Sequence, residues 1–148
     1  MKRSPELSEL TREHHKALVL ARRAIVSPRD GADARALAAA LPRIFATELE
    51  PHFRVEEEAL LPPLREAGEH AQVARLLEEH RQLRALAEAC AQGEGAGLAD
   101  FGALLEAHVR YEERQLFPLA EAVLPPAALA AVAARAAARP AVNSKQPT

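Results

Sequence analysis

The sequence has no tryptophan, one tyrosine and four phenylalanines, so aromatics make up only 3% of its 148 residues. Valine, isoleucine and threonine are also sparse. β-Sandwiches and barrels build their pleated faces from these residue types, and α/β folds need short valine and isoleucine runs between helices. Neither pattern is present, which sets both classes aside. The single cysteine, Cys90, cannot form an internal disulfide, so the fold does not depend on an oxidising compartment. Met1 to Leu10 holds no apolar run that could serve as a signal peptide, and no stretch approaches the roughly 18 apolar residues of a membrane span. The net charge is −2, so no strong basic field is available to attract a phosphate backbone. The expectations are a cytoplasmic protein with no nucleic-acid or membrane partner, either a monomer or a homodimer.

What the sequence does contain is helix formers. It has 34 Ala, 21 Leu, 18 Glu, 16 Arg and 3 Lys, together 92 of 148 residues. The fold class is therefore all-α. Helix one is expected from the Ser4-Pro5 capping pair, with Leu7, Leu10, Leu18, Ala21 and Ile25 along its apolar face, up to the turn cluster Ser27–Gly31. Helix two is expected from near Asp33 to about Leu61, kinked or broken at Pro42 and Pro51. Pro62-Pro63 then ends or bends it, and Gly68 marks a loop. Helix three runs from about His70 to Gln92, and Gly93, Gly95 and Gly97 form a connection. Helix four runs from Leu98–Asp100 to about Val123, and a short alanine-rich fifth helix from Pro125-Pro126 to about Arg139. Short loops between long helices predict an up-down-up-down antiparallel four-helix bundle with a short C-terminal fifth helix. The domain spans 1–139 with its core at 7–122, followed by a flexible tail at 140–148.

Helices two and four carry a repeat. His52-Phe53-Arg54-Val55-Glu56-Glu57-Glu58-Ala59-Leu60-Leu61-Pro62 matches His108-Val109-Arg110-Tyr111-Glu112-Glu113-Arg114-Gln115-Leu116-Phe117-Pro118 at six of eleven positions. Leu10-Thr11-Arg12-Glu13-His14 likewise aligns with Leu76-Leu77-Glu78-Glu79-His80. The unit is a helical hairpin used twice. Each hairpin supplies one lone histidine and one His-x-x-x-Glu pair, whose members share a helix face one turn apart. With glutamate at 18 of 148 positions, a histidine meets one four residues on about 12% of the time by chance, and a single such pair is ordinarily a surface ion pair. Two pairs in a repeated context point instead to four imidazoles and two carboxylates converging in the bundle core. Buried carboxylates are costly unless compensated, and a pair of metal ions compensates them. Imidazole with carboxylate suits iron or manganese, with zinc as an alternative.

These motifs, Glu13-His14, His52-x-x-x-Glu56, Glu79-His80 and His108-x-x-x-Glu112, resemble those of the hemerythrin-like, cation-binding HHE family, over about residues 7 to 122. The resemblance implies a non-haem di-iron centre with carboxylate or oxo bridges and an open position for O2 or a related small molecule. The metal ligands it implies are His14, His52, Glu56, His80, His108 and Glu112. His14 competes with His15, but periodicity puts His14 on the apolar face with Leu7, Leu10 and Leu18. Glu57 and Glu113 lie about 100° round the helix from their neighbours and read as a solvated face, although relatives with a ligand five positions after the helix-four histidine would make Glu113 a bridge. His70 reads as exposed, Arg54 and Arg110 as exposed ion-pair residues, the four phenylalanines as core, and Cys90 as an inert buried thiol. Tyr111 is a core aromatic or a hydrogen-bonding partner of the site. One departure matters. Oxygen-carrying hemerythrins have His-x-x-x-His on helix three, and Leu76 stands here four residues before His80. That weakens a reversible O2 carrier and favours reaction with or sensing of O2, NO or another oxidant. The alternatives are iron storage or delivery, repair of iron centres, and a weak oxidant-consuming enzyme.

Overall fold

The computed structural model describes residues 3–27, 31–92 and 97–139. The tail expected at 140–148, most of the glycine connection and the middle of the first turn lie outside them. Every element among the described residues is helical, and none is a strand. A 3-10 turn, Pro5–Leu7, leads into α1, Ser8–Val26. Helix α2 covers 32–66, α3 is His70–Ala91, α4 covers 97–123 and α5 is Pro126–Ala138. No helix among the described residues is long and apolar enough to cross a membrane.

Helix α2 does not break at its prolines. It runs as Ala32–Ile44, a π turn at Phe45–Leu49, Glu50–Val55, a second π turn at Glu56–Leu60, and Leu61–Glu66. Helix α4 runs as Gly97–Tyr111, a π turn at Glu112–Leu116, and Phe117–Val123. Each π turn closes on a residue that is followed at once by proline: Glu50 before Pro51, Leu61 before Pro62 and Phe117 before Pro118. The backbone N–H of that residue donates five residues back, to the carbonyl of Phe45, Glu56 or Glu112. A proline ring collides with the carbonyl four residues earlier, and here that carbonyl belongs to Thr47, Glu58 or Arg114, inside the widened turn. The π turn absorbs the proline and the helix continues. Pro62-Pro63 thus stays helical, and α2 stops at Gly68 instead. Gly68 has φ +90°, the N–H of Glu69 donates to Leu64 O at 3.0 Å, and that of Gly68 donates to Arg65 O at 3.0 Å. This is the αL glycine cap that satisfies terminal carbonyls.

The apolar side chains form two clusters. One holds Ala17, Ala21, Phe45, Phe53, Leu83, Phe101 and Leu105, the other Leu10, Val55, Leu60, Leu76, Leu116 and Phe117. Along α1 the chain passes from the second cluster to the first, along α2 from the first to the second, along α3 back again, and along α4 back once more. Between them lie the buried polar residues of the core, His14, His52, Glu56, His80, His108 and Glu112. Helix α5 buries Leu129, Val132 and Ala136 in the second cluster. Helices α1 and α4 approach most closely at Gly102, where a Cβ would stand 2.6 Å from the Ala21 carbonyl oxygen and 2.9 Å from Ala24 Cβ. Alanine normally favours a helix over glycine by about 1 kcal/mol. At this crossing the sign reverses: Gly102→Ala is expected to destabilise the fold by about 1–3 kcal/mol, measured by chemical denaturation.

Candidate metal centre

The polar layer is built from the repeat. Helix α1 contributes His14, α2 contributes His52 and Glu56, α3 contributes His80, and α4 contributes His108 and Glu112. Glu56, His80 and Glu112 are completely shielded from solvent, and the other three nearly so. All six expected site residues come together. Donor atoms of His14, His52, Glu56 and Glu112 lie within 4.8 Å of one another, and so do those of Glu56, His80 and His108. His15 and His70 are exposed and take no part.

Each imidazole lies between two carboxylates, and the inner approaches of His80 and His108 lack hydrogen-bond geometry. On the inner side, His14 Nε2 lies 2.9 Å from Glu112 Oε1 and His52 Nε2 lies 3.1 Å from Glu56 Oε2. His80 Nε2 is 3.1 Å from Glu56 Oε1, and His108 Nε2 is 3.4 Å from Glu112 Oε1. On the outer side, each Nδ1–H faces a second glutamate. These distances are 2.6 Å from His14 to Glu113, 2.8 Å from His52 to Glu13, 2.7 Å from His80 to Glu57 and 2.7 Å from His108 to Glu79. The outer contacts form a ring: α1 holds the histidine of α2, α2 that of α3, α3 that of α4, and α4 that of α1. An arginine holds each outer glutamate in turn, Arg139 on Glu13, Arg84 on Glu57, Arg75 on Glu79 and Arg3 on Glu113.

Sequence reasoning missed most of this outer layer. Glu57 and Glu113 read as a solvated face, with Glu113 the alternative bridge, yet they hold His80 and His14. Glu13 and Glu79 carried the repeat but received no role. The signal available for them was their position immediately before a site histidine in both copies. Leu76, which stands in place of a histidine, is fully buried among apolar side chains. Tyr111 is buried in the same cluster, with the Arg75 guanidinium 3.7 Å from its ring centroid, and Arg75 continues to Glu79 and His108. Aromatic packing stiffens the histidines further. Phe53 stacks on His80 at 3.9 Å and Phe117 on His14 at 5.3 Å.

The electrostatics are those of a site that wants cations. Burial opposes protonation of His14, but hydrogen bonds to Glu112 and Glu113 outweigh it and push the imidazole up to about 9. Burial is likewise overcome at His52 by the charge of Glu56 and the bond to Glu13, which raise it to about 10. Glu56 and Glu57 overcome it at His80, raising it to about 9. Burial also works against ionisation of Glu56, yet His52 and His80 hold it well below the usual carboxylate range. Glu112 moves the other way, raised by burial and by the charge of Glu56. Four inward atoms, Glu56 Oε1, His80 Nε2, His108 Nε2 and Glu112 Oε2, are buried without a hydrogen-bond partner. Buried polar atoms are rarely left so, and nitrogen and carboxylate oxygens facing one another in this way fit a shared cation. Beside them is a cavity of about 10 Å³ lined by His14, His52, His108, Glu112, Glu13 and Glu48, and by Ala17, Leu49, Phe53, Leu105 and Val109.

The hemerythrin HHE cation binding domain model matches residues 6–120. No curated protein and no solved structure matches the chain.

The raised histidines set the pH behaviour of the metal-free protein. Their charged forms are favoured by folding, so this stabilisation is complete below the unfolded value of about 6.5 and is lost as pH rises through about 9 to 10. Metal-free protein is therefore expected to lose stability between pH 7 and 10 in denaturation experiments. A metal must displace the same protons, so metal affinity should rise over that interval. A flat stability profile would contradict the assignment.

Proposed function

Because the chain belongs to the hemerythrin HHE cation-binding domain family, we propose that it is a two-metal protein, with iron as the working ion. In this reading it binds or reacts with O2, NO or a related small oxidant. The alternation of α1 to α4 between the two apolar clusters supports an antiparallel up-down-up-down bundle around the centre. One metal position falls to His14 and His52 with Glu56 and Glu112, the other to His80 and His108 with Glu56. Glu56 presents Oε2 to His52 and Oε1 to His80, which suits a carboxylate bridge between the positions. Imidazole and carboxylate donors without thiolate suit iron or manganese. Iron bound there supplies redox chemistry and open coordination positions.

The protein's own part is to orient and to exclude. Each outer glutamate accepts a hydrogen bond from a histidine Nδ1–H, fixing the tautomer so that the Nε2 lone pair faces the shared position. The two buried carboxylates, Glu56 and Glu112, would offset part of the charge of two divalent ions. The observation that carries the small-molecule reading is the cavity of about 10 Å³ beside His14 and His52. That is close to the least space that holds one water molecule. Its Ala17, Leu49, Phe53, Leu105 and Val109 walls suit an uncharged diatomic, and the Glu13, Glu48 and Glu112 carboxylates on the same lining repel anions.

Metal-free protein supplied with Fe(II) without air should take up two ions per chain and melt at a higher temperature. Exposure to O2 or NO should then change its absorption. Ala17→Leu fills the cavity without replacing a ligand residue. It is expected to slow the reaction with gas at least tenfold while leaving iron content intact, measured by stopped-flow absorption and metal analysis. No iron uptake, or a gas reaction unaffected by Ala17→Leu, would refute the reading.

A further inference from the structure

The repeat relates the two halves of the centre down to the outer glutamates and stops at the arginines. Glu13 corresponds to Glu79, His14 to His80, and Glu57 to Glu113. In the second copy, Arg75 lies four residues before Glu79 and Arg84 four residues after His80, so both arginines stand on α3 beside what they hold. The matching positions in the first copy are Glu9 and Leu18. Neither can replace a guanidinium. The missing charges arrive from outside the repeat: Arg139, just past α5, reaches Glu13, and Arg3, ahead of the first turn, reaches Glu113.

The consequence falls on one half only. His80 and His108 are clamped by Glu57 and Glu79, which α3 arginines hold. His14 and His52 are clamped by Glu113 and Glu13, held by residues 110 and 126 positions away in sequence. We propose that Arg3 and Arg139 are positioning residues for the His14/His52 half, so that this metal position depends on the docking of α5 and of the leading segment while the other depends on α3. The inference rests on the two-metal reading above.

Two features show this dependence. Arg139 lines an open cleft of about 400 Å³ between α2 and α5, together with Arg54 and Arg135, and its side chain is 16% exposed where it meets Glu13. Arg3 is set by contacts to the last part of α4, far off in sequence, to Glu121 at 2.9 Å and to the Glu113 carbonyl oxygen at 2.8 Å. Both clamps therefore depend on how α5 and the leading segment dock. The α3 clamps depend on the bundle alone. The small cavity touches both histidines of the His14/His52 half and, of the other pair, only His108.

Calorimetric titration of the metal-free full chain with Zn(II) tests this. Two steps are expected. Arg3→Gln and Arg139→Gln should each weaken the same one of them by about 10- to 100-fold, the range typical when support for a metal ligand is removed, and leave the other in place. Arg75→Gln combined with Arg84→Gln should weaken that other step. Removing a guanidinium also removes a positive charge near a cation site, which by itself would tighten binding, so the sign separates positioning from charge. Arg139→Lys keeps the charge without the planar fork and should restore only part of the loss. The metal-free melting temperature of the single variants should stay put. Tightened binding, unchanged steps, equal weakening of both steps, or weakening by Arg3→Gln or Arg139→Gln of the step that the Arg75→Gln and Arg84→Gln pair weakens would each overturn the proposal. Two ions bound with unmoved steps overturns it alone, whereas failure to bind Zn(II) or Fe(II) at all overturns the two-metal reading with it.

Discussion

Two carboxylates, Glu56 and Glu112, are fully buried between the halves of an apolar core, and most of the other polar architecture answers that fact. Withdrawing a carboxylate from water costs several kcal/mol even after relaxation, and the two stand close enough that the charge of Glu56 raises Glu112. Four imidazoles surround them. Without metal, protons on His14, His52 and His80 supply the opposing charge. The same inward atoms suit metal ions once those protons leave. An alanine- and leucine-rich core has few other polar groups to offer, so each helix must bring its own.

The ring of outer glutamates explains how the helices stay in register around this layer. Apolar contact is non-directional, and alanine-rich helices can rotate or slide against one another at small cost. A histidine held at Nδ1 by the preceding helix in the cycle and aimed at a shared carboxylate fixes both the rotation and the height of its helix. The ring runs through all four helices and closes from α4 back to α1. It breaks symmetry only in its outermost layer, where arginines on α3 serve one half and residues outside the repeat serve the other.

Much of this was legible in the sequence, for identifiable reasons. The duplicated His-x-x-x-Glu and Glu-His motifs located the inner site residues, because helical periodicity converts spacing directly into a shared face. The same periodicity separated His14 from His15. It failed for Glu57 and Glu113, because a position 100° from the inner face is solvated on an isolated helix but meets a neighbouring helix in a bundle. It failed at Pro62-Pro63 as well. A proline removes a donor and displaces a carbonyl, but whether the chain then breaks, kinks or widens into a π turn depends on packing on both sides.

The sequence by itself determined the helical class, the twofold repeat and the identity of the six inner residues, since composition and one-turn spacing are properties of a single helix. Only the tertiary structure decided which glutamate holds which histidine, that Arg3 and Arg139 stand in for arginines the first repeat lacks, and that a cavity remains beside His14 and His52. Those are relations between helices, and nothing in local spacing encodes the angle and depth at which one helix meets the next.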